Sequence, residues 1–111
     1  MKKMVEEKVG QLIKVILEKT KAREVAWKKT SNKRQFLTVF PKYVVSVEGP
    51  DYSPTFRLHN EKGETIDEIT IPSLSSAAQE ELKELLLVAR RQASGGEEAV
   101  DELLRTLSEK K

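Results

Sequence analysis

The sequence predicts an α+β domain: an N-terminal helix, an antiparallel sheet of about five short strands, and a C-terminal helical hairpin packed on one sheet face. Three observations lead there. Apolar residues recur with a helical period near both ends of the chain. The middle, residues 25–71, is rich in β-branched and aromatic residues and is punctuated by polar turns. The segments between those turns follow one another too closely to hold crossover helices, so neighbouring strands pair antiparallel. With 111 residues, 38% of them hydrophobic, the chain has material for one core and not for two, and 1–111 is expected to be a single domain.

Residues 2–23 carry Val5, Val9, Leu12, Ile13, Ile16 and Leu17 on one helical stripe. Gly10 interrupts it, at a cost of roughly 1 kcal/mol relative to Ala, and predicts close approach of another element. From Val25 the period shortens. Residues 25–30 read as a strand with Val25, Trp27 and Lys29 on one side, and 31–34 as a polar turn. Residues 35–40 form a second strand whose two faces are both apolar, which leaves its orientation open. Tyr43–Glu48 alternates, with Tyr43, Val45 and Val47 inward. Gly49, Pro50 and Pro54 mark a loop, and Thr55–Asn60 follows with Phe56 and Leu58 inward. Residues 60–63 suit a tight hairpin with Gly63 at positive φ. In residues 65–71 Ile66 and Ile69 lie three apart, and a bulge near Asp67 and Glu68 would reconcile them with one face.

Ser76 and Gln79 have the spacing of a capping box, opening a helix with Ala78, Leu82, Leu85, Leu86, Ala89 and Ala93 on its apolar face. Leu87 and Val88 widen that face, which makes this the central helix. Gly95-Gly96 ends it. A third helix is expected from Glu97, with Val100, Leu103, Leu104 and Leu107 as its stripe and Asp101–Arg105 as an i,i+4 pair.

The net charge of +2 hides an asymmetry. Segment 19–42 holds eight cations against Glu24 alone, a local charge of +7, and leaves −5 for the remainder. Three of the six aromatics (Trp27, Phe36, Phe40) fall in the same stretch and a fourth, Tyr43, adjoins it. Cations beside aromatics are the elements with which sheets hold phosphates and stack single-stranded bases. Lys28, Lys29, Lys33, Arg34, Lys42 and Tyr43 are therefore the candidate anion or nucleic-acid surface. With all helices on one side, the other sheet face would carry Val44, Ser46, Glu48, Thr55, Arg57 and His59. Ser46, Arg57 and His59 are its candidate contact residues, and His59 with Arg57 and Thr55 could hold an anion.

The runs Trp27-Lys28-Lys29-Thr30-Ser31 and Phe36-Leu37-Thr38-Val39-Phe40-Pro41-Lys42-Tyr43-Val44-Val45 stand before Phe56-Arg57-Leu58 and Ile66-Asp67. With the closing Leu85-Leu86-Leu87-Val88-Ala89-Arg90-Arg91-Gln92-Ala93 and Glu97-Glu98-Ala99-Val100-Asp101-Glu102-Leu103-Leu104, this combination resembles a group of small bacterial α+β proteins of uncharacterised function. The resemblance spans roughly residues 10–107. It implies the same order of helix, strand meander and helix pair, and brings no catalytic residue with it.

Enzyme motifs are missing: GxGxxG, GxxxxGK[ST], GxSxG and HExxH do not occur. The absence of Cys removes disulfides, thiolate metal sites and Cys nucleophiles. His59 is the only histidine, and adjacent Asp67 and Glu68 would point to opposite strand faces. No catalytic residue, metal site or cofactor is expected. No apolar run approaches the roughly 20 residues of a membrane span, and no signal-peptide pattern opens the chain, which points to the cytoplasm. The expectation is a non-catalytic interaction or adaptor module, with a protein partner or self-association first and single-stranded nucleic acid as the alternative.

Overall fold

The computed structural model describes residues 2–109, with side chains from Glu7 onward apart from Glu97. Helix α1 (Lys2–Lys21) leads into five strands, β1 (Lys28–Lys29), β2 (Gln35–Val39), β3 (Tyr43–Glu48), β4 (Thr55–Asn60) and β5 (Thr65–Thr70). A single 3₁₀ turn (Ile71–Ser73) connects to α2 (Ser76–Ala93) and α3 (Gly96–Glu109). The fold is α+β, as the order of segments predicts. The sheet is an antiparallel meander in the order β1-β2-β3-β4-β5.

Register fixes which residues face the helices. Phe36, Val47, Phe56 and Ile69 align across four strands and are buried against α1 and α2. Thr38 and Val45 form the adjacent pair on that face. The open question of β2 is thereby resolved, because Phe36 and Thr38 point inward while Leu37 and Val39 lie on the other face. From the helices, Ile13, Ile16 and Leu17 meet Leu82, Leu85, Leu86 and Ala89 in the same core. Gly10 lies against Ala78, whose Cβ would stand 3.5 Å from a Cβ built on the glycine, so the two helices do approach closely there. Val5, the first residue of the predicted stripe, has its side chain outside the described residues.

Several expectations shift by a residue or two, each for a local reason. Regular pairing in β1 is confined to Lys28 and Lys29, because a side chain takes the backbone just before it: Gln92 accepts from the Trp27 N–H at 2.6 Å and donates to the Val25 carbonyl at 3.1 Å. The cap of α2 is Ser75, not Ser76; its Oγ accepts from the Ala78 amide, while the Gln79 amide group donates to the Leu74 carbonyl. The irregularity in β5 falls at Ile66 rather than at Asp67–Glu68. Leu58 pairs with Asp67 and His59 with Thr65, which leaves Ile66 as the extra residue, half exposed, while Ile69 reaches the core. Asp101 pairs with Arg23 rather than Arg105.

At the C-terminus the helix pair meets the sheet through α2, which buries Ala78, Leu82, Leu85, Leu86 and Ala89. Its partner α3 has the expected stripe but does not bury it. Val100, Leu103, Leu104 and Leu107 are 52%, 60%, 60% and 65% exposed. The corner between them is built from two glycines. Gly95 adopts φ 75°, in the left-handed region that suits glycine. A Cβ on Gly96 would stand 2.7 Å from Arg91 Cγ and 3.1 Å from the Arg91 carbonyl oxygen, so any larger residue there would have to displace Arg91. The described chain is correspondingly long, 61 × 32 × 23 Å.

Candidate functional site

Three surfaces collect the residues singled out above. The first is the open face of the sheet. Ser46, Arg57 and Glu68 lie in one cross-strand row, and Val44, His59 and Thr65 in the next. The three predicted contact residues are thus neighbours. Ser46 is nonetheless buried, because His59 lies over it: Ser46 Oγ and His59 Nε2 are 2.9 Å apart. The other ring nitrogen, Nδ1, meets Thr65 Oγ1 at 3.2 Å. A neutral imidazole has one donor and one acceptor nitrogen, so one hydroxyl accepts and the other donates, and both nitrogens are engaged. Burial, and then the Arg57 charge, lower the His59 pKa from its ordinary value, which keeps the ring neutral.

Arg57 sits between two carboxylates. Its Nε donates to Glu68 at 2.8 Å and its Nη1 pairs with Glu48. Hydrogen bonds to Glu68 and then Glu48 raise its pKa. Two acids against one guanidinium leave this cluster with a negative balance, a poor cradle for phosphate. The expected anion site of Arg57, His59 and Thr55 therefore finds its cation already neutralised. Neither carboxylate shows in the sequence as a partner, because cross-strand pairing depends on register.

The second surface is the basic segment. Lys19 pairs with Glu24 at 3.5 Å, Lys21 with Glu84, and Arg23 with Asp101 at 3.0 Å. Lys28, Lys29, Lys33 and Arg34 form no ion pair among the described residues, and all four gather on β1 and the β1–β2 turn. Lys28 stands on the open face opposite Leu37, whereas Lys29 is opposite Phe36 on the other side. Lys42 and Tyr43 belong to the far end of the β2–β3 hairpin, about 15–20 Å away along the strand. The predicted set thus divides into two groups. Of the aromatics in the segment, Trp27 and Phe36 are buried, and Phe40 is partly buried against the core. The Trp27 indole N–H donates to Thr20 Oγ1 at 2.9 Å, which in turn donates to the Ile16 carbonyl at 2.7 Å.

Tyr43 leads to the third surface, of which the sequence shows only the off-stripe Val15 as a candidate helical contact and not the opposite wall. It is half exposed on the rim of a groove of about 420 Å³ between α1 and the helix-covered face of the sheet. Leu12, Val15 and Ile16 form one wall; Phe40, Tyr43 and Leu58 form the other. The signal for it was present in Val15, which lies off the buried stripe of α1 and is half exposed. The α3 stripe is a second apolar surface, at the end of the molecule where Arg23 and Asp101 meet.

Among the described residues no group of three or more His, Asp or Glu is placed to hold a metal ion, and no helix is long and apolar enough to cross a membrane. No family model, no curated protein and no solved structure matches the chain.

Proposed function

We propose that this protein is a non-catalytic interaction module that acts through protein–protein contacts, with α3 as its contact element. One observation carries the proposal: four aliphatic side chains at i, i+3, i+4 and i+7 on one helix are each more than half exposed. Recognition by a helix laid in a groove uses anchors at this spacing. Contiguous apolar surface rimmed by charge is characteristic of interaction sites. The helix supplies that rim with Glu98, Asp101, Glu102 and Arg105.

The test is the double substitution Leu103→Glu/Leu104→Glu. It should leave the circular dichroism melt unchanged at a concentration too low for association, and abolish association, read as mass by light scattering and as retention of a stoichiometric partner on immobilised protein. A wild-type chain that is monomeric at every concentration, and retains nothing that the variant does not, counts against the proposal.

A second reading, a binder of single-stranded nucleic acid, is favoured by the four cations Lys28, Lys29, Lys33 and Arg34 that lack acidic partners among the described residues. It ranks below the first because Trp27 and Phe36 lie within the core and leave no base-stacking platform on the open face. Anisotropy titration with a short labelled single strand decides: salt-sensitive binding, weakened by Lys28→Ala/Lys29→Ala, would reverse the ranking.

A further inference from the structure

Resting on the interaction reading above, we infer that the partner of α3 is a second copy of this chain, and that its seat is the groove beside α1. Two copies would exchange their third helices reciprocally, each inserting Val100, Leu103, Leu104 and Leu107 between α1 and the sheet of the other.

Dimensions match first. The α3 stripe runs from Val100 to Leu107, seven helical steps or about 10 Å along the helix axis. The α1 wall of the groove runs from Leu12 to Lys19, also seven steps and about 10 Å. A helix laid alongside α1 would therefore fill the groove from end to end. Both surfaces are apolar, and both lie open in the isolated chain: Leu12, Val15 and Tyr43 on one side, the four aliphatics on the other.

Charge agrees with this seating. Glu97, Glu98, Asp101, Glu102 and Glu109 against Arg105 give α3 a net −4. The groove is bordered by cations. Lys8 stands one turn before Leu12 on the same stripe of α1 and Lys42 adjoins Tyr43, while Lys19 lines the groove with its charge shared with Glu24. An acidic helix between basic rims is attracted, whereas two α3 helices placed side by side would set −4 against −4.

Area and the corner complete the case. A specific interface buries about 800 Å² per partner. Four aliphatic side chains on each of two short helices fall short of that, while reciprocal exchange gives each copy both a helix and a groove to bury. The corner at Gly95 and Gly96, with Arg23 holding Asp101, sends α3 outward. The stripe is thereby presented to another molecule instead of folding back on its own groove. Exchange of one element between identical chains is a low-cost route to a two-fold dimer.

The test uses the full chain and two single variants, Leu104→Glu in the helix and Val15→Glu in the groove. Both positions are exposed, and melting curves that match the wild type at a concentration too low for association would show that the body folds. Sedimentation of the wild type should give a dimer. Each variant alone should weaken dimerisation about tenfold or more, and a 1:1 mixture should recover part of it, because one of the two contacts then joins an intact helix to an intact groove. Wild-type dimerisation that survives Val15→Glu, with no rescue in the mixture, would mean that α3 pairs with α3 and would overturn the exchange while leaving α3 as the contact element. A wild type monomeric at all concentrations also overturns it, whether α3 closes on its own groove or serves a different protein. In that event Leu103→Glu/Leu104→Glu still decides the broader reading by whether a heterologous partner is lost.

Discussion

Helices α2 and α3 are consecutive, each has a clear apolar stripe, and they meet at two glycines, yet they live in different surroundings. The first buries five residues against α1 and the sheet, while the second leaves all four of its aliphatics more than half exposed. The difference teaches that amphipathicity states that a helix has a face to cover and says nothing about what covers it. For α2 the cover is in the same chain. For α3 the described residues leave that face uncovered, and the functional proposal grows from that mismatch.

The sharpest way to break the comparison is to truncate one leucine in each helix. Leu85, fully buried in α2, should cost about 2–5 kcal/mol on replacement by Ala through lost burial and a cavity. Leu104→Ala in α3 should change the stability of the monomer by no more than about 0.5 kcal/mol. Urea unfolding at a concentration too low for association reads both, and a comparable loss at Leu104 would show that α3 packs on its own body. Next comes Gln92→Ala, in the last turn of α2 before the corner. It strands the Trp27 N–H and the Val25 carbonyl, both part-buried, and should cost about 1–3 kcal/mol. Hydrogen exchange at Trp27 should rise with it.

Smaller changes refine the packed side of the contrast. Gly10→Ala places a methyl in ordinary contact with Ala78 and removes a helix-interior glycine, so stability should increase by about 0.5–1 kcal/mol. A loss would mean that α1 and α2 sit closer than 3.5 Å permits. The smallest effect expected is from pH. The folded-state pKa of His59 is lowered, so the native chain holds fewer protons than the unfolded one just below the ordinary histidine value. The contribution is complete above about 6.5 and is lost as the pH falls through the lowered folded value. Melting temperature should decline over that window in the wild type and flatten in His59→Gln, with the helicity of α3 unaffected in either. A pH profile unchanged by the substitution would separate His59 from the effect.

Much of this architecture was legible in the residues. Ile13, Ile16 and Leu17 keep a helical period, Val45 and Val47 alternate, and Gly63 sits where the hairpin needs a positive φ. Features that depend on distant pairs were not. Thr20 looks like a polar helix residue, yet it is buried because its hydroxyl satisfies the Ile16 carbonyl and the Trp27 indole together. Gln92 acts on backbone 65–67 positions away, a relation no local pattern encodes. Ser75 and Ser76 are equally good caps by composition, and the Ala78 amide decides between them. At the candidate sites, the cations of segment 19–42 could be read directly. Their division into paired and unpaired groups could not, because Glu24, Glu84 and Asp101 come from three different places in the chain.

The amide of Gln92 has one more consequence. Beyond the two residues of β1 the margin of the sheet carries no further ladder to lend, since a side chain from α2 already occupies the donor of Trp27 and the acceptor of Val25. A foreign strand arriving at that border would meet two lysines and a backbone already spoken for. The chain can thus present a greasy helix at one end while its β1 border resists pairing edge to edge with another sheet.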